Sequence, residues 1–307
     1  MKAVSQQNLG GPDVLEVVEV VRPEPGMGQI LVRVHAAGVN PVDAMNRQSG
    51  AFVGSPPFIL GWDVSETVTE VGIGVTLYEP GDEVFGMLTF PAGHGAYAEY
   101  VVGPARVFVP KPVGIDHVHA AALPLAGLTA WQALVDTAHI SDGTRVLITA
   151  PAGGVGHLAV QIAKARGAYV IALAAHDAAA YVKSLGADET IDYTAGDFRA
   201  GLAPLDVVFD LVGRDYPAAA MDVLKSGGIL VSTLPQTLPP VAADAAERGV
   251  RLAGLFVEAD RLGMTGLADL VTRGQLTPTI AATFPLHAAG DAQAGPGRRG
   301  KTVLTVK

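Results

Sequence analysis

The chain has 307 residues, 49% of them hydrophobic and 17% charged, with a net charge of −9. That length allows two domains with sizeable cores, and the composition excludes a disordered chain. The acidic balance excludes nucleic acid as the main partner, and the absence of cysteine excludes disulfides, thiolate nucleophiles and cysteine-ligated zinc. No apolar run reaches the ~18 residues of a membrane span, and Met1 to Gly10 lacks a signal-peptide core, so a cytoplasmic protein without a membrane partner is expected. The only close histidine pair, His117 and His119, has Asp116 as its one nearby carboxylate, and no metal site is expected.

In chain order, residues 15–20, 29–36, 66–71, 83–87 and 98–102 read as short strands separated by Gly and Pro, which predicts a barrel-like β domain. From about Ala120 the period turns helical in AAALPLAGLTAWQALVDTA, and strand–helix alternation begins. Residues 146–156, VLITAPAGGVG, run into HLAVQIAKARGAYVIAL: a strand, a glycine turn, a helix and a second strand ending at Leu173. This is the order of a dinucleotide-binding unit, because a helix N-terminus presents free N–H groups and a positive dipole end to a pyrophosphate. Gly153, Gly154 and Gly156 let the backbone turn sharply and approach the phosphates, and Ala152 and Val155 complete the turn. Further strands are expected at 189–193, 206–212, 229–233 and 251–257, spaced for a doubly wound sheet. A helix containing Leu267, Leu270 and Val271, the run TIAATFPL and a closing strand at 302–306 then return to complete the first domain. The reading is of a β-barrel domain over 1–121 and 258–307 and a Rossmann domain over 122–257.

The sequence resembles the medium-chain dehydrogenase/reductase superfamily, and within it the zinc-free quinone oxidoreductase group that includes ζ-crystallin. The likeness rests on GVNPVDAMNRQSG at 38–50, GWDVSETVTEVGIGV at 61–75, PGDEVFG at 80–86, GAYAEYVV at 95–102, AALPLAGLTAWQAL at 121–134, APAGGVG at 150–156, DLVG at 210–213 and GKTVL at 300–304. It implies an α/β protein with a GroES-like β-barrel catalytic domain and a Rossmann doubly wound parallel sheet, with substrate and nicotinamide in the cleft between them. The positions matching the zinc ligands of similar alcohol dehydrogenases are Asn40, Trp62 and Leu125, none of them a useful zinc ligand. Oxidation of an alcohol through a Lewis acid is therefore disfavoured, whereas hydride delivery to an electron-poor acceptor needs mainly proximity and orientation.

The resemblance also places the candidate residues. Asn40 and Asp43, expected in a loop after a strand, would face nicotinamide and acceptor; Asn40 could donate its amide to a developing oxyanion, against the plainer alternative of turn chemistry for both. Trp62 is either an aromatic wall of the acceptor pocket or a core residue. Tyrosines of some relatives are replaced by Met45 and Phe52, which leaves proton delivery to water. Thr129 could bond the nicotinamide end or pack a helix, as could Trp131. No acid follows the second Rossmann strand until Asp177; His176 falls where similar proteins have a serine on a 2′-phosphate, Tyr193 matches a tyrosine packing there, and Ala178 stands for a lysine, with Lys183 nearby. This favours NADPH, although His176 and Lys183 also read as solvated residues. Val212 and Gly213 would flank the nicotinamide, with Leu234 and Phe256 as either further wall or core, and Gly300 and Lys301 match a segment approaching the cofactor. Segment 289–300 is short and its Gly and Pro are expected to break the customary helix.

The expectation is a zinc-independent NADPH-dependent reductase of quinones or similar electron-poor carbonyl compounds. Reduction of an enoyl or enone double bond and NADPH binding without turnover, as in a crystallin, are the alternatives. A homodimer through the run 251–257 is expected, since an open edge strand there would be a liability.

Overall fold

The computed structural model describes residues 1–295 and 299–307. The chain forms two compact units, one from residues 1–128, 258–273 and 278–307, the other from 129–257 and 274–277. The division falls at Leu128/Thr129, inside the helix Pro124–Trp131, rather than at residue 121. No described helix is long and apolar enough to cross a membrane.

The first unit is built on a seven-stranded sheet. Its order is Ile280–Pro285, Lys301–Thr305, Gln29–Val39, Asp63–Val71, Glu83–Met87 and Phe108–Pro110, with Tyr100–Pro104 also pairing to Gln29–Val39. A smaller sheet joins Glu16–Glu19, Lys2–Gln6 and Phe58–Ile59; its central strand was not anticipated. Gln29–Val39 is the hub because eleven residues, mostly small or β-branched, let it pair on both sides. It pairs Gly38 with Asp63 on one side and Val39 with Thr302 on the other. That register sets the C-terminal end of one strand beside the N-terminal ends of two others.

The segment after this strand is a helix, Pro41–Ser49, and not the expected loop. Asn40 is its N-cap residue in extended backbone, Pro41 opens the first turn, and Asp43 accepts the Asn40 backbone N–H at 2.6 Å. Proline tolerates the first helical position, and the carboxylate satisfies an otherwise free N–H.

The second unit carries a six-stranded parallel sheet in the order Glu189–Asp192, Tyr169–Ala174, Arg145–Thr149, Leu205–Asp210, Leu224–Ser232 and Arg251–Gly254. The chain winds outward from Arg145–Thr149, then crosses back to Leu205–Asp210 on its other side. That reversal is the topological switch point where open α/β sheets bind ligands beyond the carboxyl ends of the strands. Leu147, Ile171, Val208 and Leu230 from the central strands share one buried cluster with Met221 and Val241. The last strand stops at Gly254 and not at Val257, and the fifth begins at Leu224, earlier than the run at 229 indicated. In segment 289–300 a helix does form over Ala289–Ala294, including Gly290; Pro296 and Gly297 lie outside the described residues.

Glu66, in the middle of Asp63–Val71, is fully buried and neither carboxyl oxygen finds a hydrogen-bond partner among the described residues, so burial pushes its pKa well above 4.5. A carboxyl raised on folding keeps a proton that the unfolded chain releases. Its stability contribution is therefore complete below about pH 4.5 and is lost as pH rises. Glu66→Met should flatten this dependence, matching wild type at pH 4 and melting higher at pH 8, by about 2–4 °C per kcal/mol regained. Thermal melts from pH 4 to 8 check this; a variant that melts lower at pH 8 contradicts it.

Candidate functional site

In the first unit, three strands, the new helix and the segment holding Tyr97 gather a buried polar cluster at Asn40. Asn40, Asp43, Asp63, Tyr97 and Lys301 are each at most 4% exposed. The Asn40 amide nitrogen donates to Asp63 Oδ2 at 2.8 Å, and Lys301 Nζ donates to Asn40 Oδ1. Lys301 Nζ also donates to the Val39 carbonyl at 3.1 Å and pairs with Asp63 Oδ2 at 3.5 Å. The other Asp63 oxygen accepts the Leu125 N–H at 2.7 Å. Burial pushes the Asp63 carboxyl up and the Lys301 ammonium down, and their pairing works against both shifts. Because both Asp63 oxygens accept N–H donors, the arrangement is that of a carboxylate.

Asp43 faces the other way. Its Oδ2 takes the Asn40 N–H and the Tyr97 hydroxyl, the latter at 3.0 Å, while Oδ1 has no partner. Burial lifts its pKa to about 7, with the neighbouring Asp63 adding to the rise and the Asn40 N–H opposing it. The Tyr97 hydroxyl is raised well above 10 by burial and by Asp43. Asp43 thus anchors the helix start and a tyrosine in the unit's interior, which is the structural role. Tyr97 was missed although it lies in GAYAEYVV; its link to Asp43 spans 54 residues of sequence.

Trp62 is fully buried, its Nε1 donating to the Pro91 carbonyl at 3.3 Å. Of its two readings the burial supports the core one: the ring packs 5.2 Å from Phe90, which in turn meets the exposed Phe52 at 5.2 Å. Phe52 and Phe90 are the aromatic surface here. The positions that match zinc ligands do not suit a metal, since Asn40 is engaged at both ends of its amide, Trp62 is an indole in the core and Leu125 is aliphatic.

In the second unit, the turn after Arg145–Thr149 runs from Ala150 into the helix Gly156–Ala165. A Cβ on Gly156 would stand 2.2 Å from the Ala150 carbonyl oxygen and 2.7 Å from Pro151 Cα, so only glycine allows the helix to start this close to the strand. Gly153 N–H bonds Ala150 and His157 N–H bonds Gly153, which closes the turn. Among the described residues, the N–H groups of Ala152, Gly154, Val155 and Gly156 donate to no atom of the protein. Four free donors at the start of a ten-residue helix fit a pyrophosphate.

Across the switch point stands Asp210, a residue that sequence reasoning quoted within DLVG but gave no role. It is fully buried and accepts from Thr149 Oγ1 (3.3 Å), Val212 N (3.0 Å), Gly213 N (3.0 Å) and Ser232 Oγ (2.9 Å). Thr149 Oγ1 in turn accepts the Leu211 N–H at 2.7 Å, and Ser232 Oγ the Leu234 N–H at 3.1 Å. Val212 and Gly213 therefore lie past the strand end, in a loop that one carboxylate holds to the edges of three strands. Leu234 follows the next strand, its side chain against Gly213.

At the other end of the sheet, His176 opens a short turn, Lys183 lies on the helix Ala179–Ser184, and both are exposed. Tyr193, 48% exposed, follows the strand Glu189–Asp192. Asp192, an acid on the neighbouring strand, is paired in register with Ala174 near the end of the second strand. The Thr194 hydroxyl and N–H, at 2.6 and 2.8 Å, hold its carboxyl below the usual range, with His176 adding to the effect. Thr129 is buried and Phe256 is 57% exposed. Gly300 and Lys301 belong to the first unit, where Lys301 contacts Asn40, Val39 and Asp63.

Comparison with known proteins agrees with this geometry. Residues 26–113 match the alcohol dehydrogenase GroES-like domain and residues 185–304 the zinc-binding dehydrogenase domain. The NAD(P)H oxidoreductase RTN4IP1, mitochondrial, of Mus musculus is 34% identical over 91% of this chain and 82% of its own length. A 2-haloacrylate reductase of a Burkholderia species is 34% identical over 94% and 93%. Among solved structures, the quinone oxidoreductase from Coxiella burnetii superposes with a TM-score of 0.92 at 38% identity, covering 100% of this chain and 99% of that one. An Escherichia coli quinone oxidoreductase complexed with NADPH gives 0.88 at 27%, covering 99% and 100%. A GroES-like unit, a Rossmann unit and full-length similarity to these enzymes make the chain a member of the medium-chain dehydrogenase/reductase superfamily, in its zinc-free quinone oxidoreductase group.

Proposed function

We propose that this protein is a zinc-independent NADPH-dependent reductase whose acceptor is a quinone or a similar electron-poor carbonyl compound. The observation that carries this reading is the turn 150–156, where a glycine cradle leaves four N–H groups free. The similarity to NAD(P)H and quinone oxidoreductases supports it.

The cofactor, when bound, supplies a hydride. Ala152, Gly154, Val155 and Gly156 would hold its pyrophosphate through backbone N–H groups, and Val212 and Gly213, fixed by Asp210, would line the nicotinamide end. Lys183 would offer positive charge and the His176 ring N–H a hydrogen bond to a 2′-phosphate, with Tyr193 as a further candidate, and Asp192 is turned onto Thr194. His176→Asp should raise the Kd of NADPH about tenfold and leave NADH little changed, through charge repulsion at the phosphate. Fluorescence titration with both nucleotides checks this, and an equal effect on the two contradicts it.

Asn40 is the group offered to the acceptor oxygen, where negative charge grows as the hydride arrives. Reduction of the acceptor would take two electrons and one proton as the cofactor's hydride, and the second proton from solvent. The test is steady-state NADPH oxidation against a panel of quinones in metal-free buffer; no turnover with any of them overturns the quinone assignment. The kinship with a 2-haloacrylate reductase supports a second reading, reduction of an activated alkene, which would place deuterium from labelled NADPH on an alkene carbon. We also propose a cytoplasmic homodimer joined through the edge strand Arg251–Gly254, which pairs on one side only among the described residues. A monomer in sedimentation velocity contradicts that assembly.

A further inference from the structure

We infer that Lys301 and Asp63 are positioning residues that fix the direction in which the Asn40 amide presents its N–H to the acceptor. The inference rests on the reductase reading above.

A terminal amide has an oxygen and a nitrogen of nearly equal size, and its two flipped orientations differ only in hydrogen bonding. At Asn40 the two neighbours differ in kind. Lys301 Nζ, a donor, meets Oδ1; Asp63 Oδ2, an acceptor, meets Nδ2 at 2.8 Å. Flipping the amide would set N–H against ammonium and oxygen against carboxylate, so one orientation is imposed. The amide nitrogen carries two hydrogens, of which Asp63 takes one. The other is left for a ligand.

The two clamps are themselves fixed. Asp63 is tied to Leu125 N at 2.7 Å and Lys301 to the Val39 carbonyl at 3.1 Å. Gly38, the register partner of Asp63, admits that carboxylate: a Cβ there would lie 2.6 Å from Asp63 Oδ2 and 2.5 Å from the Ala121 carbonyl oxygen. The three strands meet in register with Asn40 between the other two residues. A cation on the amide oxygen also draws charge from the nitrogen and strengthens its remaining N–H as a donor. Low exposure of all three residues keeps water from competing for these contacts.

The test is a double-mutant cycle. Lys301→Gln keeps reach and hydrogen bonding but removes the donor-only group, so the amide can occupy both orientations. Expected is a fall in kcat of about 10- to 100-fold, within the loss known for a displaced oxyanion donor, with KM and the Kd of NADPH changed less than twofold. On an Asn40→Ala background the same substitution should lower kcat by less than twofold, since the residue it positions is gone. Additive losses in the cycle, or an unchanged kcat in folded Lys301→Gln, overturn the inference. Asp63→Asn supplies the same cycle from the other end of the amide should Lys301→Gln not fold. Wild-type protein that binds NADPH but reduces no acceptor would sink the reductase reading and this inference together, whereas a turning-over wild type with additive variants sinks the inference alone.

Discussion

Gly156→Ala is expected to weaken NADPH binding about 100-fold or more, roughly 2.7 kcal/mol, while the first unit stays folded. The added Cβ would meet two backbone atoms, Ala150 O at 2.2 Å and Pro151 Cα at 2.7 Å, and neither can rotate away as a side-chain end could. The helix Gly156–Ala165 must therefore move off the strand that precedes it. The four free N–H groups move with it, and a phosphate loses its converging donors. Relief by local shift costs about 1–3 kcal/mol of stability in the second unit. Fluorescence titration with NADPH checks the affinity, with a thermal melt to confirm folding. Wild-type affinity in the variant would show that the turn does not hold the nucleotide.

Asp210→Ala is the change expected to cost most stability, about 4 kcal/mol or more. Removing the carboxylate strands the Gly213 N–H and two hydroxyls in a buried place and the Val212 N–H in a half-buried one, each buried group at about 1–3 kcal/mol less whatever the site recovers by relaxing. Asp210→Asn should cost only about 1–2 kcal/mol, because its oxygen can still take the loop N–H groups while Ser232 Oγ turns to accept the new amide. NADPH affinity should fall in the same order, since the loop 211–213 is what the carboxylate holds. Urea unfolding of the two variants gives the comparison; equal losses would mean that Asp210 acts by packing and not by hydrogen bonding.

Both residues bear on what could be read in the chain. The glycine turn was legible because strand, turn and helix are contiguous and each has its own period, so Val146 to Leu173 announced the unit locally. Strand ends were less legible. The run Arg251–Val257 is uniformly apolar, but pairing stops at Gly254, and propensity does not report where a neighbour ends. The helix Pro41–Ser49 was missed because its polar residues hide a helical period, although Asn40, Pro41 and Asp43 form the N-terminal signature that could have revealed it.

The candidate site divides the same way. Asn40 was found, but its partners lie 23 and 261 residues away, and only strand register brings Asp63 and Lys301 to it. What the sequence does not show is that the Lys301 ammonium contacts Asn40, Val39 and Asp63. Trp62 was read as a possible wall and is core, with Phe52 and Phe90 as the aromatic surface above it. Asp210 was visible as a letter in DLVG; its five hydrogen bonds were not, because they come from two neighbouring strands and a loop.

Direct hydride transfer is tested most closely by single-turnover stopped-flow oxidation of NADPH bound to this protein, mixed with a simple quinone in metal-free buffer, using NADPH carrying deuterium at one or the other C4 position. Oxidation is expected to be slower for one of the two labelled cofactors and unchanged for the other, as transfer from a single face requires. No oxidation by any quinone or enone acceptor, or oxidation at equal rates from both labels and from unlabelled NADPH, would contradict the account.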